Sequence, residues 1–222
     1  MWCIPKVTPE FVACMEDVLT LYAKLYDPKE PVLCVDEKSK ELRSDTRPST
    51  PTKAGQLRRR DYEYKRNGTA NIFMTVEPKG GYRETTVTAR RTRADFANEI
   101  KRIVDLPRYQ GATTIHIVLD NLNTHFAKSF YYTYSKEEAD RILSRITFHR
   151  TPKHASWLNM AEIELSIMEG QCTKGRISDA VLLAQKLHAW QARRNSESAT
   201  INWTFTQEKA RALFRYKPKE LS

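Results

Sequence analysis

No run of 18 or more apolar residues occurs in this chain of 222 residues, which excludes an obvious membrane-spanning helix. The first residues, MWCIPKVTPEF, also lack the basic segment, apolar stretch and cleavage site of a secretory signal. No internal repeat or long low-complexity tract is visible. With 40% hydrophobic and 29% charged residues, the composition is that of a globular protein built as one large domain, with or without a short extension.

Cysteine is scarce, and its spacing excludes the common zinc motifs. The four cysteines form no CxxC pair and do not stand at zinc-ligand distance from the five histidines. Free thiols are typical of a reducing compartment. We therefore expect a cytoplasmic protein without a structural zinc ion.

Positive charge is what the chain has in excess. Lys and Arg number 37 against 27 Asp and Glu, which gives a formal net charge of +10. Such a chain is attracted to polyanions, of which nucleic acid is the commonest in a cell, although many basic proteins bind none.

Hydrophobic periodicity predicts alternating strands and helices. We expect strands at 32–36, 69–77, 83–89, 114–120 and 146–148. We expect helices at 8–25, 92–106, 135–145, 157–172, 178–194 and 207–216, the fourth capped by Ser156. A loop rich in Pro and hydroxyl residues is predicted at 44–60. This order, with the second and third strands joined as a hairpin, indicates an α/β fold with a sheet of mixed direction.

Two of the predicted strands end in aspartate, Asp36 and Asp120. Catalytic and ligand-binding groups of open α/β sheets gather at the carboxyl ends of strands, so these side chains can converge. The alternative is that each aspartate only begins a turn.

A third carboxylate lies in the helix SWLNMAEIELSIMEGQC. An apolar stripe of Leu158, Ala161, Leu165 and Met168 marks its buried side, and Glu162 borders that stripe. Glu164 is predicted to point to a different face. We expect Glu162 to be the carboxylate offered to the sheet, the alternative being an ion pair at the rim of the core.

Three carboxylates suit the cleavage of a phosphodiester. That reaction needs an activated nucleophile and relief of charge on the leaving oxygen, and two divalent ions about 4 Å apart provide both. Mg²⁺ prefers oxygen ligands and is commonly held by a few carboxylates together with substrate phosphates.

Three segments together resemble a known family. VDEKS at 35–39, DNLNTH at 120–125 and TPKHASWLNMAEIELS at 151–166 are similar to the three acidic motifs of DDE transposases, nearest to the mariner superfamily in its bacterial insertion-sequence form. DYEYKRNGTANIF at 61–73 and ARRTRADFA at 89–97 resemble the same branch. The combination of DNxxTH with HxSWLNxxE is specific, whereas no single piece would be.

The resemblance implies an RNase H-like fold, a mixed five-stranded sheet flanked by helices. It assigns Asp36, Asp120 and Glu162 as catalytic residues and metal ligands for Mg²⁺ or Mn²⁺, as two ions. The implied reaction is cleavage of DNA at transposon ends, followed by joining of the freed 3′ hydroxyl to target DNA.

The same resemblance suggests a domain organisation. We expect an N-terminal helical segment at 1–27, the RNase H-like catalytic domain at 28–205 and a C-terminal helical tail at 206–222. Only about 35 residues precede the first aspartate motif, too few for the family's helix-turn-helix region. The expected partners are transposon-end and target DNA, further copies of the chain and a separate helix-turn-helix portion, at the nucleoid.

Basic clusters are predicted to contact DNA, because arginines grip phosphates while neighbouring aromatics stack on exposed bases. The predicted DNA-binding residues are Arg58, Arg59, Arg60, Lys65, Arg66, Arg90, Arg91, His125 and His154. A solvated surface is the alternative for each cluster.

Supporting roles are predicted for four further residues near the acidic motifs. Asn121 and Asn123 are expected to shape the loop after Asp120, and Trp157 and Asn159 to anchor the helix of Glu162. The tyrosines at 131, 132 and 134 are interpreted as packing residues.

Two alternatives to a transposase remain open at this stage. One is a structure-directed nuclease of the same fold, such as a junction resolvase. The other is an inactive DNA-binding remnant that regulates full-length copies.

Overall fold

A five-stranded mixed sheet forms the centre of the computed structural model, which describes residues 7–57, 61–122 and 124–216. The strands are β1 (Val32–Asp45), β2 (Tyr64–Glu77), β3 (Tyr82–Thr88), β4 (Ile115–Leu119) and β5 (Ile146–Arg150). Their spatial order is β3-β2-β1-β4-β5. The β1–β2 and β2–β3 pairs are antiparallel, whereas β1–β4 and β4–β5 are parallel. The predicted α/β fold with a mixed sheet is confirmed.

Seven α-helices occur in the described ranges. They are α1 (Pro9–Ala23), α2 (Arg93–Val104), α3 (Lys128–Thr133), α4 (Lys136–Leu143), α5 (Met160–Met168), α6 (Ala180–Ser196) and α7 (Gln207–Phe214). Short 3₁₀ turns at Pro107–Tyr109 and Ser156–Leu158 and a π-helical turn at Glu169–Thr173 complete the set. Within these ranges no helix has both the length and the apolar character to cross a bilayer.

The two faces of the sheet are covered by different helices. Alternation along β1 sends Cys34 into one apolar cluster and Leu33 and Val35 into the other. The Cys34 face is covered by α1, α5 and α6, and the opposite face by α2, α3 and α4. Alternate side chains of β1 and β4 therefore face opposite sets of helices, and the position of a residue along the strand decides which set it faces.

The first strand is longer than its sequence predicts. Charge after Val35 predicts an end at Asp36, but β1 continues to Asp45, paired with β2. Its charged side chains find distant partners: Lys38 binds Glu169, and Lys40 donates to the carbonyl of Thr173 at 2.7 Å. Asp36 consequently lies within β1 and not at its end, which corrects the prediction.

The hairpin between β2 and β3 requires a glycine. Gly81 has φ +64°, in the left-handed region, and a Cβ there would lie 2.5 Å from the carbonyl oxygen of Ser198. The close approach seats the hairpin against the end of α6, where Ile201 N–H donates to Pro78 at 2.9 Å.

The terminal helices pack on the same body as the sheet. Phe11 and Met15 of α1 share an apolar cluster with Leu158 and with Ala210 of α7. The buried Tyr22 hydroxyl donates to the carbonyl of Leu158 at 2.8 Å. The domain boundaries at residues 27 and 205 stay a prediction. The contacts of α1 and α7 described here cross both boundaries.

Candidate active site

Parallel pairing places Asp36 and Asp120 side by side. The last paired residues of β1 and β4 are Cys34 and Val118, and two further residues along each strand are Asp36 and Asp120. The two strands part at this point, since β1 continues with β2 while β4 ends at Leu119. The two aspartates thus lie at the same level along neighbouring strands, Asp36 within β1 and Asp120 just after β4.

The same parity puts both aspartates on the face that α5 covers. Cys34 and Val118 pack in the cluster that contains Met160 and Ala161 of α5, and side chains two residues apart on a strand share a face. Glu162, in the first turn of α5, is carried over this face. Strand register and one helix therefore bring the three predicted carboxylates to one corner of the sheet.

The helix that carries Glu162 is fixed by Asn159. The prediction of a Ser156 cap and a helix from Trp157 is wrong: Ser156–Leu158 is a 3₁₀ turn, and the cap of α5 is Asn159. The buried Asn159 side chain accepts from Ala161 N–H at 3.1 Å and donates to the carbonyl of Val35 at 2.8 Å. One amide thus both begins α5 and ties it to β1, beside Asp36.

The most buried carboxylate of α5 is Glu164, which corrects the expectation that the buried edge offers Glu162. Glu164 is fully buried and bound by the buried guanidinium of Arg83, at 2.8 and 3.0 Å, and by Arg194 at 3.1 Å. Glu162 is half-buried, and the ion pairs found among the described residues include none that involves it. Glu164 is engaged in structure, and Glu162 keeps its carboxylate for other use.

The ionisation of Asp36 is disfavoured by its surroundings. Burial is the largest cause, and the charges of Glu162, Glu37 and Asp120 add to it, raising the pKa of Asp36 to about 7. The Glu37 N–H, which donates to Asp36 Oδ1 at 2.8 Å, acts in the opposite direction. Negative charge at this corner is crowded and only partly compensated by the protein.

Asp120 is held by a buried histidine. His125 Nδ1 lies 2.8 Å from Asp120 Oδ1, although the ring does not point its N–H along a hydrogen-bond direction, and Nε2 lies 3.1 Å from Glu37. Burial opposes the charge on the ring, but the contacts with Asp120 and Glu37 outweigh it and raise the pKa of His125 to about 9. His125 is fully buried in the protein alone, and the predicted contact of its side chain with DNA stays a prediction.

Asp120 itself stays ionised in this setting. Burial disfavours its charge, but contact with His125, the N–H of Leu122 at 3.1 Å and the charge of Arg150 together lower the pKa of Asp120. The two neighbouring aspartates are therefore unlike: Asp120 is a stabilised anion and Asp36 is a destabilised one.

Two residues of this corner escaped the sequence interpretation, Glu37 and Arg150. Glu37 follows Asp36 on the opposite face of β1 and is the second partner of His125. Arg150 ends β5 and donates to the carbonyls of Asp120, at 3.3 Å, and of His125. The position of Arg150 at the carboxyl end of a parallel strand was the available signal.

The loop after β4 is fastened to the end of β5. Asn121 donates to the carbonyl of Thr151, and its supporting role stays a prediction. Asn123 lies outside the described residues. Trp157 packs edge-on against Phe205 at 5.2 Å between ring centroids, which joins its 3₁₀ turn to the segment before α7.

His154 is exposed and lines a cleft beside this loop. Its backbone has φ +63°, which turns the chain between β5 and α5. The cleft has a volume of about 480 Å³, and Asn121, Lys153 and Phe11 also line it. Contact of His154 with a phosphate stays a prediction.

The predicted basic clusters lie at different distances from the carboxylates. Arg58, Arg59 and Arg60 lie outside the described residues. Lys65 pairs with Ser44, eight residues along β1 from Asp36, which is roughly 26 Å of strand. Arg66 binds Glu41 at 3.0 Å and is exposed. These two residues are not brought to the carboxylates.

Arg90 and Arg91 are closer to the site. They follow β3 at its pairing with Asn71, which itself pairs with Ser39 on β1, near the level of Asp36. Both side chains are exposed. A DNA contact by them is compatible with this position and stays a prediction.

The donor chemistry of the corner fits a divalent cation. Carboxylate oxygens are the ligands that Mg²⁺ and Mn²⁺ prefer. Burial, with the charges of Glu162, Glu37 and Asp120 added to it, raises the pKa of Asp36, and a bound cation would oppose that shift. In the parts of the chain that the structure describes, no three His, Cys, Asp or Glu side chains stand in ligand geometry around a common point.

The order of the sheet and the three carboxylates at one corner define the RNase H-like class of fold. The family described as DDE superfamily endonuclease matches residues 31–182, which span all five strands and the three carboxylates. The chain belongs to this family. No curated protein sequence matches it.

Solved structures agree with the fold. The Mos1 strand transfer complex is similar with a TM-score of 0.58 and 13% identity over 90% of this chain and 59% of that chain. The Mos1 mariner paired-end complexes with Mn and with Mg have TM-scores of 0.56 and 0.53, each at 15% identity over 90% of this chain and 60% of theirs. The chain thus spans about three-fifths of the transposase chains it resembles, and the predicted RNase H-like fold is confirmed.

Proposed function

We propose that this chain is the catalytic part of a DNA transposase, which cleaves phosphodiesters at transposon ends and transfers the freed strand to target DNA. The observation that carries the proposal is the convergence of Asp36, Asp120 and Glu162 at one corner of an RNase H-like sheet. Membership of the DDE endonuclease family supports the reaction class. Assignment to the bacterial insertion-sequence branch stays a prediction.

The three carboxylates would hold Mg²⁺ or Mn²⁺, as two ions, which supply an activated nucleophile and charge relief at the leaving oxygen. Asp120 is pre-ionised by His125 and Arg150 and offers a fixed anionic oxygen. Asp36 is poised to lose its proton when positive charge arrives, because its pKa is raised to about 7. The amide of Asn159 keeps the helix of Glu162 against β1.

The partners proposed for this site are transposon-end DNA, target DNA and further copies of the chain. The solved relatives are described as paired-end and strand-transfer complexes, which supports DNA as the substrate. The net charge of +10 favours a polyanionic partner. A separate helix-turn-helix portion that reads the ends, and a place at the nucleoid, follow from the same proposal.

The test is strand nicking and joining on labelled duplexes carrying the element's own terminal repeats, with Mg²⁺ or Mn²⁺. We expect wild type to nick and join, and Asp36→Asn, Asp120→Asn and Glu162→Gln each to lose at least 100-fold in rate. Glu137→Gln, an exposed glutamate on α4, is the matched control and should retain activity.

Three outcomes would count against the proposal. Equal rates for wild type and Asp120→Asn, with folding intact by circular dichroism, would remove the catalytic assignment. Hydrolysis of branched DNA without joining would indicate a structure-directed nuclease. Absence of metal binding by calorimetry at millimolar Mg²⁺ and Mn²⁺ would indicate an inactive DNA-binding remnant.

A further inference from the structure

Three aromatic side chains in the segment that follows Asp120 are exposed to solvent, and one of them, Tyr131, donates its hydroxyl to Asp140. Tyr132 on α3 is 75% exposed, and Phe126, in the turn before α3, is 41% exposed. The interpretation of Tyr132 as a packing residue is therefore wrong, whereas half-buried Tyr134 does pack against the core. Exposed aromatic surface adds nothing to the stability of a folded protein, so the rings of Tyr132 and Phe126 are candidates for a role in binding.

The rings of Tyr132 and Phe126 each have an arginine over them. The guanidinium of Arg93 lies 5.6 Å from the Tyr132 ring centre, and that of Arg150 lies 4.4 Å from the Phe126 ring centre. Planar guanidinium groups stack on aromatic faces and also bind phosphate. We call these four residues the stacking surface.

The stacking surface is joined directly to the candidate active site. Arg150 donates to the carbonyls of Asp120 and His125, and Phe126 follows His125 in the chain. From Phe126 to Tyr132 the backbone runs through a turn into α3, in which Ser129 N–H donates to Phe126 at 2.8 Å. Six residues of such backbone cover about 9 Å, comparable to two or three stacked bases at a rise of about 3.4 Å.

The charge around the stacking surface is positive. Arg90 and Arg91 precede Arg93 and are exposed, and Lys128 is exposed at the start of α3. Two carboxylates of the neighbouring helices α2 and α4 are engaged, Asp95 with Thr92 and Asp140 with the hydroxyl of Tyr131 at 2.7 Å, while Asp120 lies beside Arg150. Aromatic rings interleaved with free cations match nucleic acid better than an apolar protein surface.

We propose that the stacking surface binds unpaired bases of a DNA strand next to the cleavage position. Bases inside a duplex have both faces covered by their neighbours, so an aromatic side chain can stack only on bases that are frayed, flipped or single-stranded. The ligand is therefore a single-stranded end or a short melted segment. The inference rests on the proposed function. Because the stacking surface lies beside Asp120, it would hold the bound bases next to the position of cleavage.

The test compares a duplex carrying a short single-stranded tail with a blunt duplex of the same sequence, in EDTA. 2-Aminopurine in the tail reports stacking, and fluorescence anisotropy reports binding. We expect Tyr132→Ala and Phe126→Ala to weaken binding of the tailed DNA about 5- to 100-fold and to reduce the change in 2-aminopurine fluorescence. Binding of the blunt duplex should change less than about twofold.

Tyr131→Ala is the matched control. It removes the same side chain from the same helix, but its hydroxyl is committed to Asp140 on α4, so it should bind tailed DNA like wild type. Tyr132→Phe should also bind like wild type, since it keeps the ring.

Equal losses on tailed and blunt DNA, or wild-type binding by both alanine variants, would overturn the proposal. A change in oligomeric state for Tyr132→Ala in sedimentation would assign the surface to a second copy of the chain and overturn it as well. Because binding is measured without metal, these outcomes are separable from failure of the proposed function, which would appear as absence of metal-dependent cleavage by wild type.

Discussion

At the scale of single residues, the two adjacent aspartates of the site differ in how the protein treats their charge. Asp120 is stabilised as an anion by His125 and Arg150, while burial and the charges of Glu162, Glu37 and Asp120 disfavour the ionisation of Asp36. The crowding of negative charge around Asp36 costs folding free energy in the absence of a cation. We therefore attribute it to function and not to stability. Two predictions follow at this scale.

Replacing Asp36 by Asn should stabilise the metal-free protein above neutral pH. The folded-state pKa of Asp36 is raised from 3.8 to about 7, so the native protein holds a proton that the unfolded chain releases. The stability of wild type therefore falls as pH rises through 7, and Asp36→Asn avoids that loss. We expect a gain of about 1–3 kcal/mol at pH 8, after allowance for partial exposure.

Urea unfolding in EDTA at pH 5 and pH 8 measures this effect. The advantage of the variant should grow from the lower to the higher pH, and Glu137→Gln should show no such growth. A variant less stable than wild type at pH 8 would contradict the electrostatic account of the site.

The two glutamates of α5 should separate activity from stability. Glu162→Gln should lose activity and keep the stability of wild type within about 0.5 kcal/mol. Glu164→Gln should lose about 3–5 kcal/mol, because it leaves Arg83 buried without its counter-charge. Paired urea denaturation and nicking assays decide the matter, and a reversed pattern would exchange the roles of the two residues.

At the scale of elements, Arg176 holds both ends of the excursion between β1 and β2. Its guanidinium binds Asp45 at 2.6 Å and donates to the carbonyls of Asp61, Tyr62 and Glu63 at 2.8–2.9 Å. The side chain comes from the segment after α5, so the base of the excursion is tied to the helix that carries Glu162.

Removing this tie should loosen the excursion without unfolding the sheet. For Arg176→Ala we expect faster trypsin cleavage after Lys53, by about tenfold, because cleavage requires local opening. Mass spectrometry of early fragments locates the cuts. Arg193→Ala, which removes a mostly exposed arginine on α6, is the control, and equal rates for both variants would show that Arg176 is not the tether.

Much of the architecture was predictable from local pattern, and the exceptions share one cause. The strands ending near Asp120 and Glu77 and the capping box of Thr92 and Asp95 depend on neighbours in sequence, and they were found. The length of β1 depends on its pairing with β2, and the tie of Asn159 to Val35 and the Glu164 ion pair join residues more than 80 positions apart. No local pattern encodes such partners.

The residues that form the site were more predictable from the sequence than the contacts between them. The three carboxylates stand in recognisable motifs, but the role of His125 as a buried partner of Asp120 required the fold. The exposure of Tyr132 likewise depends on how α3 packs against α2. Burial is a property of the assembled chain, so sequence spacing alone could not supply it.

At the scale of the whole molecule, α1 is part of the core that supports the site. Val18, Leu21 and Tyr22 are buried in the same cluster as Cys34 and Met160. Deleting residues 1–27 should therefore expose this cluster and abolish cooperative unfolding. Differential scanning calorimetry checks it, with Tyr26→Ala in the full chain as a control that keeps α1. A truncated chain with a single sharp transition would show that residues 28–205 fold alone.

The shared register of Asp36 and Asp120 has a mechanical consequence. Each lies two residues beyond the last pair of β1 and β4, where backbone hydrogen bonds hold the strands about 4.8 Å apart. Glu162 instead belongs to a nine-residue helix tied to β1 by one asparagine amide and followed by a π-helical turn. The corner therefore has one stiff side and one compliant side. A change in its width as a strand is cut and joined would be taken up by movement of α5.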